Sequence, residues 1–325
     1  MPVFFATDRA ISKETAEHCS FANRRSNDRE LKYGTCQISI PKGHKVGELE
    51  APNWFKLEFF KDPEKHVVLL STQVLQKKEF FSSVKKSVAA SPAKNAFVFI
   101  HGYNVGFDDA ARRTAQIAYD LQFQGAPILY SWPSRANLLR YAADEATIDV
   151  SAQHFLRFLT EVATKSGARI LHVIAHSMGN RALLTALEKL SVNPNRPAIH
   201  NVILTAPDID AQRFYQIAAS INKYPSRITL YSSSNDRAIL LSKQFHSYVR
   251  AGDAGKNIVV ARGVDTVDAS VVDTSMFGLG HSYFARKRTV LSDIFQLIAK
   301  NRPPKKRFGL KEKKHQNGVY WEFVR

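Results

Sequence analysis

From residue 90 onward, short unbroken apolar runs alternate with stretches whose apolar positions recur every three or four residues. Ala96–Ile100, Pro127–Tyr130, Arg169–Ile174, His200–Thr205, Arg227–Tyr231 and Asn257–Ala261 read as strands. The first is apolar throughout, as a strand buried on both faces must be. Phe107–Gln124 sets Phe107, Ala110, Ala111, Ile117, Ala118 and Leu121 on one helical face. Ala142–Ser166, Arg181–Leu190, Ala211–Ile221, Ala238–Tyr248 and Lys287–Lys300 read as further helices. Strands and helices alternating at this spacing predict βαβ units, hence an α/β fold: a mainly parallel sheet with helices on both faces.

The first 90 residues have a less regular pattern. Val3–Ala6, Gln37–Ile40, Lys56–Lys61 and His66–Leu70 read as short strands, and Ser71–Ser87 has helical spacing with Val74, Leu75, Phe80, Phe81 and Val84 as its stripe. The expected organisation is an N-terminal elaboration (1–90) packed on a catalytic core (91–300), followed by a basic C-terminal tail (301–325). Pro303-Pro304 opens that tail and ends the helix before it. Gly318–Val324 is apolar enough to dock back as a short strand.

Charge changes this picture only once it is located. The chain carries 46 Lys+Arg against 29 Asp+Glu, a net +17, and residues 300–325 hold nine basic and two acidic residues, or +7. The excess therefore points to a solvated tail or to contact of that tail with anionic lipid or a polynucleotide; for the whole protein a membrane contact through the tail is expected ahead of nucleic acid. Hydrophobic residues at 44% exclude global disorder. Two cysteines, Cys19 and Cys36, exclude a disulfide scaffold and a four-cysteine zinc site, and reduced thiols are expected. No metal-ligand spacing and no glycine-rich phosphate loop comes after any strand, so no metal and no cofactor is expected. No apolar run approaches the ~20 residues a membrane span needs. The N-terminus has neither a basic n-region nor an h-region, so the expected location is cytoplasmic.

Ligands of open α/β sheets bind beyond the carboxyl ends of the strands, so the residues directly after each strand are informative. After Ile174 comes Ala175-His176-Ser177-Met178-Gly179 and then a helix. This is a G-x-S-x-G pattern with Ala first, in which small residues two before and two after the serine permit a sharp strand-to-helix turn that exposes its Oγ. Partners come in the required chain order. Asp236 lies in the loop after Tyr231, with Asp208 after Thr205 as the alternative acid, and His281 lies between glycine-rich residues and the closing helix. In this arrangement His281 takes the Ser177 proton and Asp236 orients His281. After Ile100 comes His101-Gly102-Tyr103-Asn104. Gly102 allows close backbone approach, and the amides of Tyr103 and Met178 are the expected oxyanion donors. His101, Gly102, Asn104, His176 and Trp132 are candidate pocket residues, with core packing the alternative for Trp132.

On these residues, with Phe4–Arg9, Tyr130–Ser134, Asn180-Arg181, Ala206–Asp210 and Gly280–Tyr283, the chain resembles the bacterial α/β-hydrolase family of unknown function, whose members are esterase- and lipase-like. The resemblance covers most of residues 1–285 and implies an α/β-hydrolase fold and a serine hydrolase of carboxylic esters acting on small-molecule or lipid esters. Only about twenty residues separate the strands ending at Thr205 and starting at Arg227, too few for a large cap. An accessible site and short to medium acyl chains are therefore expected. The alternatives are a lipase or phospholipase held on anionic membranes by the tail, and a non-catalytic binding module on the same scaffold.

Overall fold

The computed structural model describes residues 1–15, 18–28, 30–52, 60–135, 141–235, 248–272 and 284–324, with backbone only for 284–287. In chain order the elements are β1 (Pro2–Thr7), β2 (Arg9–Glu14), β3 (Cys19–Arg25), β4 (Lys32–Ser39), β5 (Val68–Leu75), α1 (Lys77–Ala90), β6 (Asn95–Ile100), α2 (Phe107–Asp120), β7 (Ala126–Ser131), α3 (Tyr141–Lys165), β8 (Ile170–His176), α4 (Gly179–Ser191), β9 (Asn201–Thr205), α5 (Ala211–Ile221), β10 (Arg227–Ser232), β11 (Val264–Asp268), α6 (Phe284–Lys300), β12 (Leu310–His315) and β13 (Gly318–Phe323).

Among the described residues, one eleven-stranded sheet runs β12-β13-β11-β10-β9-β8-β6-β7-β1-β4-β5, and β2 and β3 form a separate hairpin. The strands from β13 to β1 are parallel, while β4, β5 and β12 are antiparallel additions at the two edges. The alternation expected of buried strands is realised in two cores. Val98, Ile100 and Val173 meet Phe80, Phe155, Leu183 and Phe214 from α1, α3, α4 and α5 on one face. Phe97, Phe99 and Ile174 meet Phe107, Ile117, Leu291 and Ile294 from α2 and α6 on the other. This is the α/β-hydrolase arrangement. The chain order reverses between β6 and β8, where such sheets open a crevice at the carboxyl ends of the strands.

Several elements depart from the pattern-based expectation. Ser71–Leu75 belongs to β5 because its residues pair with β4 from Gln37↔Ser71 to Tyr33↔Leu75. The helix begins only at Lys77, where the Gln76 amide donates to the Glu79 carboxylate at 3.2 Å. Helix α2 stops at Asp120 instead of Gln124: Gln122 is left-handed at φ 46°, and the Phe123 and Gln122 amides close back onto Ala118 and Tyr119 carbonyls. Asn257–Ala261 is buried at Ile258–Val260 but is no strand. Val264–Asp268 takes the place beside β10, and the Thr266 hydroxyl holds the Val259 carbonyl at 2.8 Å. The expected helix over 238–248 lies outside the described residues except for Tyr248, and of the expected strand over 56–61 only Phe60 and Lys61 are described, neither in a strand.

The segment after Pro303 is not a free tail. Its hairpin, β12 and β13, extends the sheet, with Val267↔Trp321 and Asp268↔Glu322 joining it to β11. Gly318–Phe323 docks as a strand because Phe323 is buried and Trp321 packs on the α2–α6 core. Cys19 and Cys36 are free and buried. Among the described residues, no helix is long and apolar enough to cross a membrane.

Candidate active site

Ser177 occupies the turn between β8 and α4 in the left-handed region, φ 48°, a conformation a non-glycine residue keeps only where its surroundings enforce it. The enforcement is visible. The Ser177 amide donates to the Thr205 carbonyl at 3.0 Å. Its carbonyl accepts from the Asn180 amide (3.1 Å), the Asn180 side chain (2.9 Å) and the Asp208 amide (3.2 Å). A Cβ at Gly179 would lie 2.5 Å from the His101 carbonyl oxygen and 2.9 Å from that of Ile100, so the pattern's glycine is required by contact with the β6 loop. Among the described residues, the Ser177 Oγ has no hydrogen-bond partner. Ser177 is only 1% exposed, with the Gly102 backbone packed against it.

That backbone is held from several directions. A Cβ on Gly102 would lie 2.9 Å from the Ser177 Cβ and 2.7 Å from the His176 Nδ1. Asn104 is left-handed at φ 58°, and its amide donates to Asp144 on α3. Asp144 also accepts from the Ser134 hydroxyl at 2.6 Å and the Arg135 amide at 3.0 Å. Burial pushes its carboxyl up, against the pull of these donors. Tyr103 is buried and meets Tyr141 edge to face at 5.4 Å. Met178, fully buried, begins the α4 turn.

His101 and His176 are buried neutral imidazoles. Burial, with Arg9 nearby, holds His101 well below the ordinary histidine range, and burial, with Arg113 nearby, brings His176 down to about 3. The His101 Nδ1 lies 2.7 Å from the Gly102 carbonyl and its Nε2 3.2 Å from the Ser131 hydroxyl, which fits the tautomer with its proton on Nδ1. Trp132 stacks on that ring (5.3 Å, 10°) and donates its indole N–H to the His101 carbonyl at 2.7 Å. Trp132 is fully buried and supports the loop from behind.

The residue that composition and spacing did not single out is Arg9, which is 0% exposed. Its guanidinium donates to the Val105 carbonyl (2.8 Å), the Ser134 carbonyl (3.2 Å), the Ser131 hydroxyl (2.9 Å) and Asn23 Oδ1 (2.8 Å). Burial brings it down to about 10, with Asp8 and Asp144 opposing. It ties the loop after β6 to the loop after β7 and to the β2–β3 hairpin. Asp8 accepts from Ser151 and His154 and so fixes the end of β1 to α3. Its signals in the sequence are the charged pair Asp8-Arg9, one residue after the apolar Val3–Ala6 run, and its place in the Phe4–Arg9 stretch that carries the family resemblance.

Asp208 lies beside the serine turn and is buried. Tyr141 donates to its Oδ2, Arg250 Nε lies 3.3 Å from its Oδ1, and Arg181 donates to its carbonyl at 2.8 Å. Ala206 before it is left-handed at φ 44°, and Gly252 packs there so tightly that a Cβ would lie 2.6 Å from the Ala206 carbonyl carbon. Asp236 and His281 lie outside the described residues. The chain leading to Asp236 is fixed at the same end of the sheet, where the Asn235 side chain donates to the Ser270 carbonyl at 2.8 Å and Ser270 Oγ accepts from the Ser234 amide at 2.9 Å. Among the described residues, no group of three or more His, Cys, Asp or Glu is placed to hold a metal ion.

The family model described as alpha/beta hydrolase of unknown function (DUF900) matches residues 76–302. No curated protein matches the sequence significantly. Three solved structures are similar to parts of the chain. A hydrolase assigned to the cell surface of Lactobacillus plantarum is 13% identical, covering 65% of this chain and 94% of its own, with a TM-score of 0.39. A predicted CIB-like hydrolase from Thermoplasma acidophilum is 15% identical, covering 71% and 93%, with a TM-score of 0.33. The phospholipase PlaB from Legionella pneumophila is 12% identical, covering 71% and 69%, with a TM-score of 0.34.

Proposed function

The chain belongs to the family of alpha/beta hydrolases of unknown function, and from that premise we propose that it is a serine hydrolase of carboxylic esters. The observation that carries this reading is the strained Ser177 turn with the Gly102 backbone packed against it. A buried serine kept at φ 48° under a closely approaching loop is what nucleophilic attack beside an oxyanion hole needs, and a plain helix cap does not need it.

In the proposed reaction Ser177 Oγ attacks the ester carbonyl carbon while its proton passes to His281. The negative charge on the carbonyl oxygen is met by the Tyr103 and Met178 amides. The C–O bond to the alcohol breaks as His281 returns the proton to the departing alkoxide oxygen, leaving an acyl-enzyme. Water then attacks the acyl carbon with its proton passing to His281, and Ser177 regains a proton as the acid leaves. Asp236 is assigned as the residue that orients His281. Asp208, the alternative, already has Tyr141 and Arg250 on its two carboxylate oxygens. The helix α5 is what lies between β9 and β10, which favours short to medium acyl chains over a capped long-chain tunnel.

Ser177→Ala tests the reading. We expect hydrolysis of p-nitrophenyl acyl esters to fall by about 10⁴-fold or more, with labelling by a fluorophosphonate lost and the melting temperature preserved. Full activity in the variant, or an unlabelled wild type, overturns it.

A further inference from the structure

The hairpin β12–β13 carries a feature that ester hydrolysis does not use. The turn leading into it is anchored from inside. Arg307 and Asp293 form an ion pair at 2.8 Å with both side chains fully buried, and the Tyr231 hydroxyl donates to Asp293 at 2.6 Å. Pro304 is buried. The Gln296 side chain on α6 takes the Phe308 amide at 2.9 Å and donates to the Phe308 carbonyl at 3.4 Å. This fixed turn nevertheless presents Phe308 to solvent at 87% exposure. Val324, 58% exposed, lies opposite Gly309, the residue after Phe308, since the Val324 amide donates to the Gly309 carbonyl at 2.9 Å. Lys305, Lys306 and Lys311, all exposed, lie within three residues of Phe308 in the chain.

We propose that this turn is a docking surface for an anionic lipid bilayer, with Phe308 entering the interface and Lys305, Lys306 and Lys311 meeting the headgroups. The chemistry is complementary on both counts: an aromatic tip gains by entering the acyl boundary, and lysines around it gain from anionic headgroups. A rigid tip meets the interface without first being ordered. The competing partners fit less well. A strand of nucleic acid is held in a groove with several aromatic platforms, whereas Phe308 stands as a single exposed ring on this turn. A second copy adding to the sheet at this edge would have to pair with β12, whose Lys311, Glu312, Lys313 and Lys314 line the edge with charge. Position also favours a membrane. Because β13 is parallel to β11, Phe323 and Val324 leave the sheet at the end of the strands where Ser177 leaves β8. A bilayer held there faces the end of the sheet that carries the serine.

The test uses the full chain in flotation with phosphatidylcholine vesicles with and without phosphatidylglycerol. Binding is expected only to the anionic vesicles and to weaken with salt. Phe308→Ala, and Lys305→Glu with Lys306→Glu, should each weaken it by about tenfold or more at unchanged melting temperature. In Phe308→Trp, the added indole fluorescence should shift to the blue on vesicle binding and be quenched by brominated lipid. The proposal is overturned if binding ignores headgroup charge, if Phe308→Ala binds as wild type, or if brominated lipid does not quench the added indole. It is equally overturned if the surface instead drives a Phe308-dependent dimer, or binds single-stranded nucleic acid more tightly than vesicles. Because binding is measured without turnover, failure here is separate from failure of the esterase reading.

Discussion

At the scale of single residues, the site depends on positions where a side chain is too much. Gly102 has no special backbone angle to explain it; its reason is proximity, with the His176 ring and the Ser177 Cβ both inside 3 Å of where a Cβ would stand. Gly102→Ala must therefore push the 101–104 loop away from the serine. Since that loop carries the Tyr103 amide, the expected loss is about 10²–10³ in kcat, the usual effect of one missing oxyanion donor. Steady-state kinetics on a p-nitrophenyl ester measures it, and wild-type kcat would show that the loop does not serve the reaction. These residues were legible in the sequence because small residues around a serine, and His-Gly after an apolar run, are local patterns with local causes. Arg9 was not legible as a site residue. Its acceptors come from Val105, Ser131, Ser134 and Asn23, and no spacing within one segment encodes a contact assembled from several.

The same arginine matters at the scale of elements. The loops after β6 and β7 converge on one guanidinium, so the relative placement of two parallel strands' ends depends on a residue of the N-terminal region. Arg9→Met leaves the Val105 and Ser134 carbonyls buried without this donor, and a loss of about 3–5 kcal/mol is expected in urea unfolding. Arg9→Lys keeps the charge but not the planar fork, so it should recover part of that stability while kcat stays well below wild type with KM little changed. Equal kcat in Arg9→Lys and wild type would confine Arg9 to stability. Strands buried on both faces, such as β6, β8 and β9, are legible in their unbroken apolar runs. The pattern misleads where one run of residues suits two structures. Ser71–Leu75 carries apolar residues at positions that also suit a helix, and only pairing with β4 makes it a strand. Asn257–Ala261 is more apolar than Val264–Asp268, yet Asp265 and Asp268 belong to the residues that pair beside β10.

For the molecule as a whole, the net +17 divides by location. Arg9 and Arg307 are buried cations that hold segments together and Arg113 is a third buried one, while Lys311 and Lys314 of the C-terminal hairpin are exposed. A composition-level reading could not separate these roles, because burial of a cation is decided by partners far away in sequence. Titration of the buried histidines then shapes global stability. His44, in the loop before β5, lies with Nδ1 2.8 Å from Glu50 and Nε2 2.8 Å from Asp120 on α2, beneath the Tyr119 ring, with Arg113 also facing these carboxylates. Burial alone would lower it, but the two carboxylates outweigh burial and raise it from 6.5 to about 9. A raised folded value means this contribution is complete below pH 6.5 and is lost as pH rises through about 9. His172 and His176 are the opposite case: burial lowers both from 6.5 to about 3, so the unfolded chain takes up protons first and stability falls as pH drops below 6.5. The two effects together place the maximum of melting temperature against pH near about 6.5, with a decline of a few degrees on each side. His44→Gln should flatten the alkaline limb and leave the acid limb intact, because it removes the imidazolium but not the buried neutral rings. Calorimetric scans from about pH 4 to about pH 9.5, at about one-unit steps, check both limbs. An alkaline limb that persists in His44→Gln would mean that another group carries it.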